Sequence, residues 1–154
     1  MTKLAHLLFT FCSLCFAVSA LTHIATFVTV DPPGGDAVFL VMLLCFLASA
    51  LPVSMLSTRL NLAQGTRNSW RSSLVGCPKW MRLALAIIAA YLLLTFAVMW
   101  FGLVPSGQES ALRVFSSFWM LLFSVGIAVS YSALQRPQLL EYRNGRDGKN
   151  SPRV

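Results

Sequence analysis

Phe39-Leu40-Val41-Met42-Leu43-Leu44 runs without a polar interruption, inside a longer apolar stretch from Ala37 to Thr58. A membrane-barrel strand would alternate lipid-facing and lumen-facing residues over about 10 positions, and this stretch does not alternate. It has instead about the 20 residues that a helix needs to cross a hydrocarbon core. Working outward, three further runs have the same character: Leu4 to Val30, Leu83 to Val104 and Val114 to Leu134. None of the four interiors contains Asp, Glu, Lys or Arg. Each central Leu, Ile, Phe or Val favours insertion by about 0.3 to 0.6 kcal/mol, and no charge opposes it at about 2.5 to 3.5 kcal/mol.

Of the 154 residues, 56% are hydrophobic and 11% charged, against roughly 25% charged in soluble domains. That balance excludes a water-soluble globule. The expected fold is all-α: an integral membrane bundle of four transmembrane helices over residues 1–134, with a loop at 59–82 and a tail at 135–154. The tail beyond Tyr142 is polar and glycine-containing, which predicts disorder.

The basic residues set the expected orientation. Arg59, Arg67, Arg71, Lys79 and Arg82 fall in the middle loop, and Arg136, Arg143, Arg146, Lys149 and Arg153 in the tail. The opposite side holds Asp31, Asp36 and Glu109 with the single Arg113. The positive-inside rule then places both termini and the middle loop in the cytoplasm. The net charge of +7 reads as a topology signal first, with anionic lipid headgroups as partners of the cytoplasmic loop and no nucleic acid. A multi-pass protein of the bacterial inner membrane fits this brevity and pattern.

Local signals mark the ends. Asp31-Pro32-Pro33-Gly34-Gly35-Asp36 reads as a tight outer hairpin loop. Ser106 and Glu109 have capping-box spacing, with Arg113 one turn on. Trp70, Trp80 and Trp100 fall near expected interfaces. In the middle loop, Trp70, Leu74, Val75 and Trp80 interleave with Arg67, Arg71 and Lys79, as in a segment lying on the headgroup surface. Ala17-Val18-Ser19-Ala20 after Lys3 looks like a signal-peptide cleavage site, but the apolar run continues through Phe27 and favours an uncleaved span.

Candidate chemistry is sparse. Cys12 and Cys15 form a C-x-x-C deep in the first span, where thiolates are disfavoured, and Cys45 and Cys77 lie at other depths, so no metal site is expected. His6 and His23 are about 25 Å apart along one helix and cannot clamp one haem. Ser19, Thr22, Thr26 and Thr29 draw a hydroxyl stripe with His23 at its edge, and Arg113 lies at the same outer end. An outer polar pocket using His23 and Arg113 is the candidate ligand site. Tyr91 needs a hydrogen-bond partner, and Thr95 can bond the Tyr91 carbonyl.

Small residues suggest packing faces: Ala86, Ala90 and Ala97 in the third span, Ser117, Ser124 and Ala128 in the fourth, and Cys45, Ala48, Ser49 and Pro52 in the second. These faces are expected to meet each other, and Pro52 to kink its helix. No nucleophile-base pair, paired carboxylates or phosphate loop is present, and no span carries the carboxylate an ion-coupled transporter needs. The expected role is a non-catalytic accessory or assembly subunit without cofactor, packing with itself or a larger membrane partner. A small permease or ligand-binding protein using the outer pocket is one alternative, and a haem or quinone redox protein another. Reporter fusions are expected to place residues 59–82 in the cytoplasm and residues 31–36 outside; the reverse pattern would overturn the orientation.

Overall fold

The computed structural model describes residues 2–28, 35–63, 73–101 and 108–138, with the side chains of 35, 36, 63 and 108–111 left aside. The expectations for Asp31, Asp36, Ser106, Glu109, Arg67, Trp70, Arg71 and the tail beyond 138 lie outside these residues. Among the described residues there are four long helices: α1 (Thr2–Val28), α2 (Gly35–Ala63), α3 (Lys79–Trp100) and α4 (Gln108–Leu134). All four are long and apolar enough to cross a membrane. The chain is therefore an all-helical bundle with the lengths and composition of a small multi-pass membrane protein.

Boundaries shift where local chemistry outweighs the apolar runs. α3 starts at Lys79, four residues before its apolar run, because Pro78 sits at its N-cap in extended conformation. α2 continues through Arg59 to Ala63 and runs through Pro52 without a break in assignment.

α4 is the hub. Its most extensive neighbour is α1, which it meets antiparallel, and it also carries α2 and α3. Ala5 and Leu8 of α1 pack with Val129 and Ala133 at one end, joined by Leu56 and Leu60 of α2. Cys12 and Cys15 share the middle with Met42, Trp119 and Phe123. Here the Trp119 ring lies 6.1 Å from Phe39 and 5.7 Å from Phe46, fixing α2 against α4 through aromatic edges. The two helices of lower mean hydropathy, α4 and α1, are the two most buried. That order is expected where lipid already satisfies apolar surface and polar surface has to face protein.

The small-residue faces do not pack together as anticipated. Ser117 and Ala128 are buried and Ser124 half-buried on α4, but Ala48 on α2 and Ala86 and Ala90 on α3 are exposed, with Pro52 and Ala97 in between. A close approach falls instead between α1 and α4, at Gly126. A Cβ there would lie 2.7 Å from the Cys12 Sγ.

The segment before α3 also departs from the surface-lying reading. Val75 and Trp80 are exposed, but Leu74 and Cys77 are buried with Ala128 of α4, and Ser73 is buried against Asn61 of α2. The Cys77 thiol donates to the Ala128 carbonyl at 3.1 Å, and the Gly76 N–H donates to the Ser132 Oγ at 3.2 Å. Burial pushes the Cys77 thiol up, partly offset by the Arg82 charge. Small side chains on α4, Ala128 and Ser132, are what let this backbone come so close.

Two glycine substitutions separate the close approaches. Gly76→Ala puts a Cβ 3.0 Å from the Ser132 Cα, which cannot rotate away, and is expected to cost about 1–3 kcal/mol in thermal or denaturant unfolding. Gly126→Ala meets a sulfur instead, so Cys12→Ala should restore most of its loss. Equal loss in the Gly126→Ala single and double variants would show that the contact is not what limits this position.

Candidate functional site

The C-terminal end of α1 holds a densely connected polar group. His23 is only 8% exposed, and both ring nitrogens are engaged. Nδ1 lies 2.8 Å from the Ser116 Oγ of α4, and Nε2 lies 2.8 Å from the Tyr91 hydroxyl of α3. One imidazole thus ties three helices together.

Proton directions follow from the neighbours. The Ser116 hydroxyl donates to the Arg113 carbonyl at 3.1 Å, the usual local bond of a helical serine. Its single proton is therefore used, and it can only accept from His23. In neutral His23, Nδ1 then carries the hydrogen and Nε2 accepts from Tyr91. The chain reads Tyr91 O–H to Nε2, Nδ1–H to Ser116, Ser116 O–H to the Arg113 carbonyl. The Tyr91 and His23 rings meet edge-on at 89°, with centroids 5.4 Å apart.

Arg113 enters the same region from α4. Its Nη2 donates to the Thr26 carbonyl at 2.9 Å, and its guanidinium lies 4.6 Å from the Phe27 ring centroid. The last carbonyls of a helix have no partner within it, and a cation at that end also complements the dipole. Arg113 therefore acts as a side-chain cap for the end of α1. Ser19 adds a bond from its hydroxyl to the Ser116 carbonyl at 2.9 Å, and Thr26 closes on the His23 carbonyl at 2.7 Å.

His23 and Arg113, singled out in the sequence, thus come together through Ser116 and Thr26. Of the hydroxyl stripe, Ser19 and Thr26 are buried with His23, whereas Thr22 bonds its own helix at Val18. Sequence reasoning missed that Tyr91 is the partner of His23 and gave Ser116 no role. The available signal was the phenol itself, since a tyrosine in an apolar helix requires an acceptor. Beside Tyr91 and Arg113 lies a cavity of about 210 Å³ walled by Phe27, Leu94, Val98 and Met99.

Cys12 and Cys15 lie together on the buried face of α1, as their three-residue spacing requires, with Cys45 of α2 packed against the same cluster. All four cysteines are free thiols. Among the described residues, no three His, Cys, Asp or Glu side chains are grouped to hold a metal. His23 offers a haem iron no open nitrogen, because both are hydrogen-bonded within the bundle. Comparison with known protein families, curated proteins and solved structures finds no match.

Tyr91→Phe leaves the His23 Nε2 without its donor and is expected to destabilise the bundle by about 1–3 kcal/mol. Nitrogen-15 spectra of labelled histidine should show His23 as the Nδ1–H tautomer in the parent chain. A protonated Nε2 in neutral His23 would overturn the direction of the relay.

Proposed function

We propose that the chain is a multi-pass protein of the bacterial inner membrane with both termini in the cytoplasm. Its role is that of a non-catalytic accessory or assembly subunit that packs with a second copy or a larger membrane partner. The observation that carries this reading is the outward alanine face of α3. On a helix, Ala86, Ala90 and Ala97 lie along one side, and Ala86 and Ala90 are exposed. Small residues let helix backbones approach closely in lipid, which is the main route to association there. Within the chain itself α3 leans on α4 and buries only Met81 and Leu85. Among the described residues Ala90 and Ala86 remain exposed, Ala86 at the edge of a groove, and a partner helix would cover them. Ala48 on the exposed side of α2 offers a second such position.

A second reading, a small-solute binding protein or permease, draws on the cavity beside Arg113 and Tyr91. The partnering of its polar groups favours the first reading. Thr95 bonds the Tyr91 carbonyl, Tyr91 bonds His23, and Arg113 reaches the Thr26 carbonyl. These groups serve the protein's own structure, which leaves less hydrogen-bonding capacity to recognise a solute.

Native mass spectrometry after mild detergent extraction is expected to show a homo-oligomer or a complex with a partner of fixed stoichiometry. Ala90→Phe, at an exposed position, should dissociate it while leaving the melting temperature of the helices unchanged. A parent chain that extracts as a monomer with no stoichiometric partner would overturn the subunit reading.

A further inference from the structure

A groove of about 640 Å³ lies between α2 and α3 and has α4 as its floor. Leu121, Val125 and Val129, one ridge of α4 at four-residue spacing, form that floor. Leu85, Ala86 and Ala89 make the α3 wall. At one end the groove changes character: Ser57, Ser73 and Arg82 line it there, and among the described lining residues Arg82 carries the formal charge. The groove is thus apolar along its length and cationic at its mouth.

The hydroxyls at the mouth are already committed. Ser73 donates to the Asn61 Oδ1 at 3.1 Å, so across the 2.7 Å contact between Ser57 and Ser73 it is Ser57 that donates. Neither serine has a proton left for an anion. Arg82 is exposed, and its five guanidinium donors suit a phosphate in forked geometry. Lys79, also exposed, lies on the same side of α3 one turn earlier. The segment that closes this end is held rigidly on α4 by the bonds of Gly76 and Cys77. The mouth is therefore built into the fold.

We propose that this groove binds one anionic phospholipid of the cytoplasmic leaflet, with its phosphate on Arg82 and an acyl chain along the α4 ridge. The inference rests on the membrane orientation proposed above. From Arg82 to Ala89 the wall extends about 10 Å, roughly a third of a 30 Å hydrocarbon core. It accommodates the headgroup-proximal part of a chain that starts at the interface and runs inward. Charge complementarity selects this occupant over a partner helix, since an apolar helix laid in the groove would bring nothing to meet Arg82. Basic pockets between helices on the cytoplasmic side are a recurring place for acidic headgroups.

The test is native mass spectrometry of the full-length protein titrated with phosphatidylglycerol or with phosphatidylcholine of identical chains. The parent chain is expected to retain one phosphatidylglycerol at several-fold lower lipid concentration than phosphatidylcholine. Arg82→Gln should erase that preference while keeping weak binding of both lipids. Ala89→Phe, which fills the groove, should reduce both, with circular dichroism confirming an intact helical fold. Equal retention of the two lipids by the parent chain, or unchanged retention in Ala89→Phe, overturns the proposal. So does an Ala89→Phe variant that loses a dimer in place of a lipid, which would assign the groove to a second copy. Ala90→Phe separates the two proposals: loss of the oligomer with the lipid preference intact leaves the lipid site standing by itself.

Discussion

The antiparallel seam between α1 and α4 is the constraint on which the rest of the structure depends. In the membrane setting proposed here, apolar surface gains little by moving from lipid to protein, so helices associate through close packing and hydrogen bonds. The seam supplies both along its length. At one end Ala5 and Leu8 meet Val129 and Ala133, and in the middle Gly126 admits the Cys12 side chain. Near the C-terminal end of α1, Ser19, His23 and Arg113 exchange hydrogen bonds across the two helices. The two helices of lower mean hydropathy are the ones joined, which leaves the greasier α2 and α3 to face outward.

α3 is the exception that gives the molecule its possible functions. It is fixed at its first turns by Met81 and Leu85 against Leu74, Cys77 and Ala128. In its C-terminal half the Tyr91 hydroxyl on His23 supplies a polar tie. Between these two points it stands away from α2, and the groove opens there. The same geometry leaves Ala90 exposed and Ala86 exposed at the groove's edge. The two proposals, a partner on the alanine face and a lipid in the groove, therefore have one structural cause. A helix held by few contacts leaves surface for something else.

Much of the fold was legible in the sequence, because uncharged runs of spanning length allow few alternatives to helices. The pairing of His23 with the Arg113 region was legible too, since both fall at the same end of their spans. Tyr91 as the partner of His23 was not. Spacing fixes which way a residue points relative to its own helix, but not how that helix is rotated against its neighbours. The same gap explains the alanine faces. Ala86 and Ala90 do share a side of α3, yet that side stays exposed, with Ala86 at the edge of the groove, because Met81 and Leu85 on another face make the buried contact. Leu74 and Cys77 were hidden for a different reason. A short segment rich in basic neighbours resembles a surface strap until Ser132 and Ala128 are seen to leave room for it.

The sequence by itself determined the number of helices, their approximate ends and the segregation of charge to one side. These follow from local free energies of transfer, which each segment carries regardless of its neighbours. Only the tertiary structure decided which helix is central, which hydroxyl meets His23, and where the bundle leaves a groove. Those outcomes depend on rotations and close approaches between separate helices, and the contacts that set them arise only once the helices have packed together.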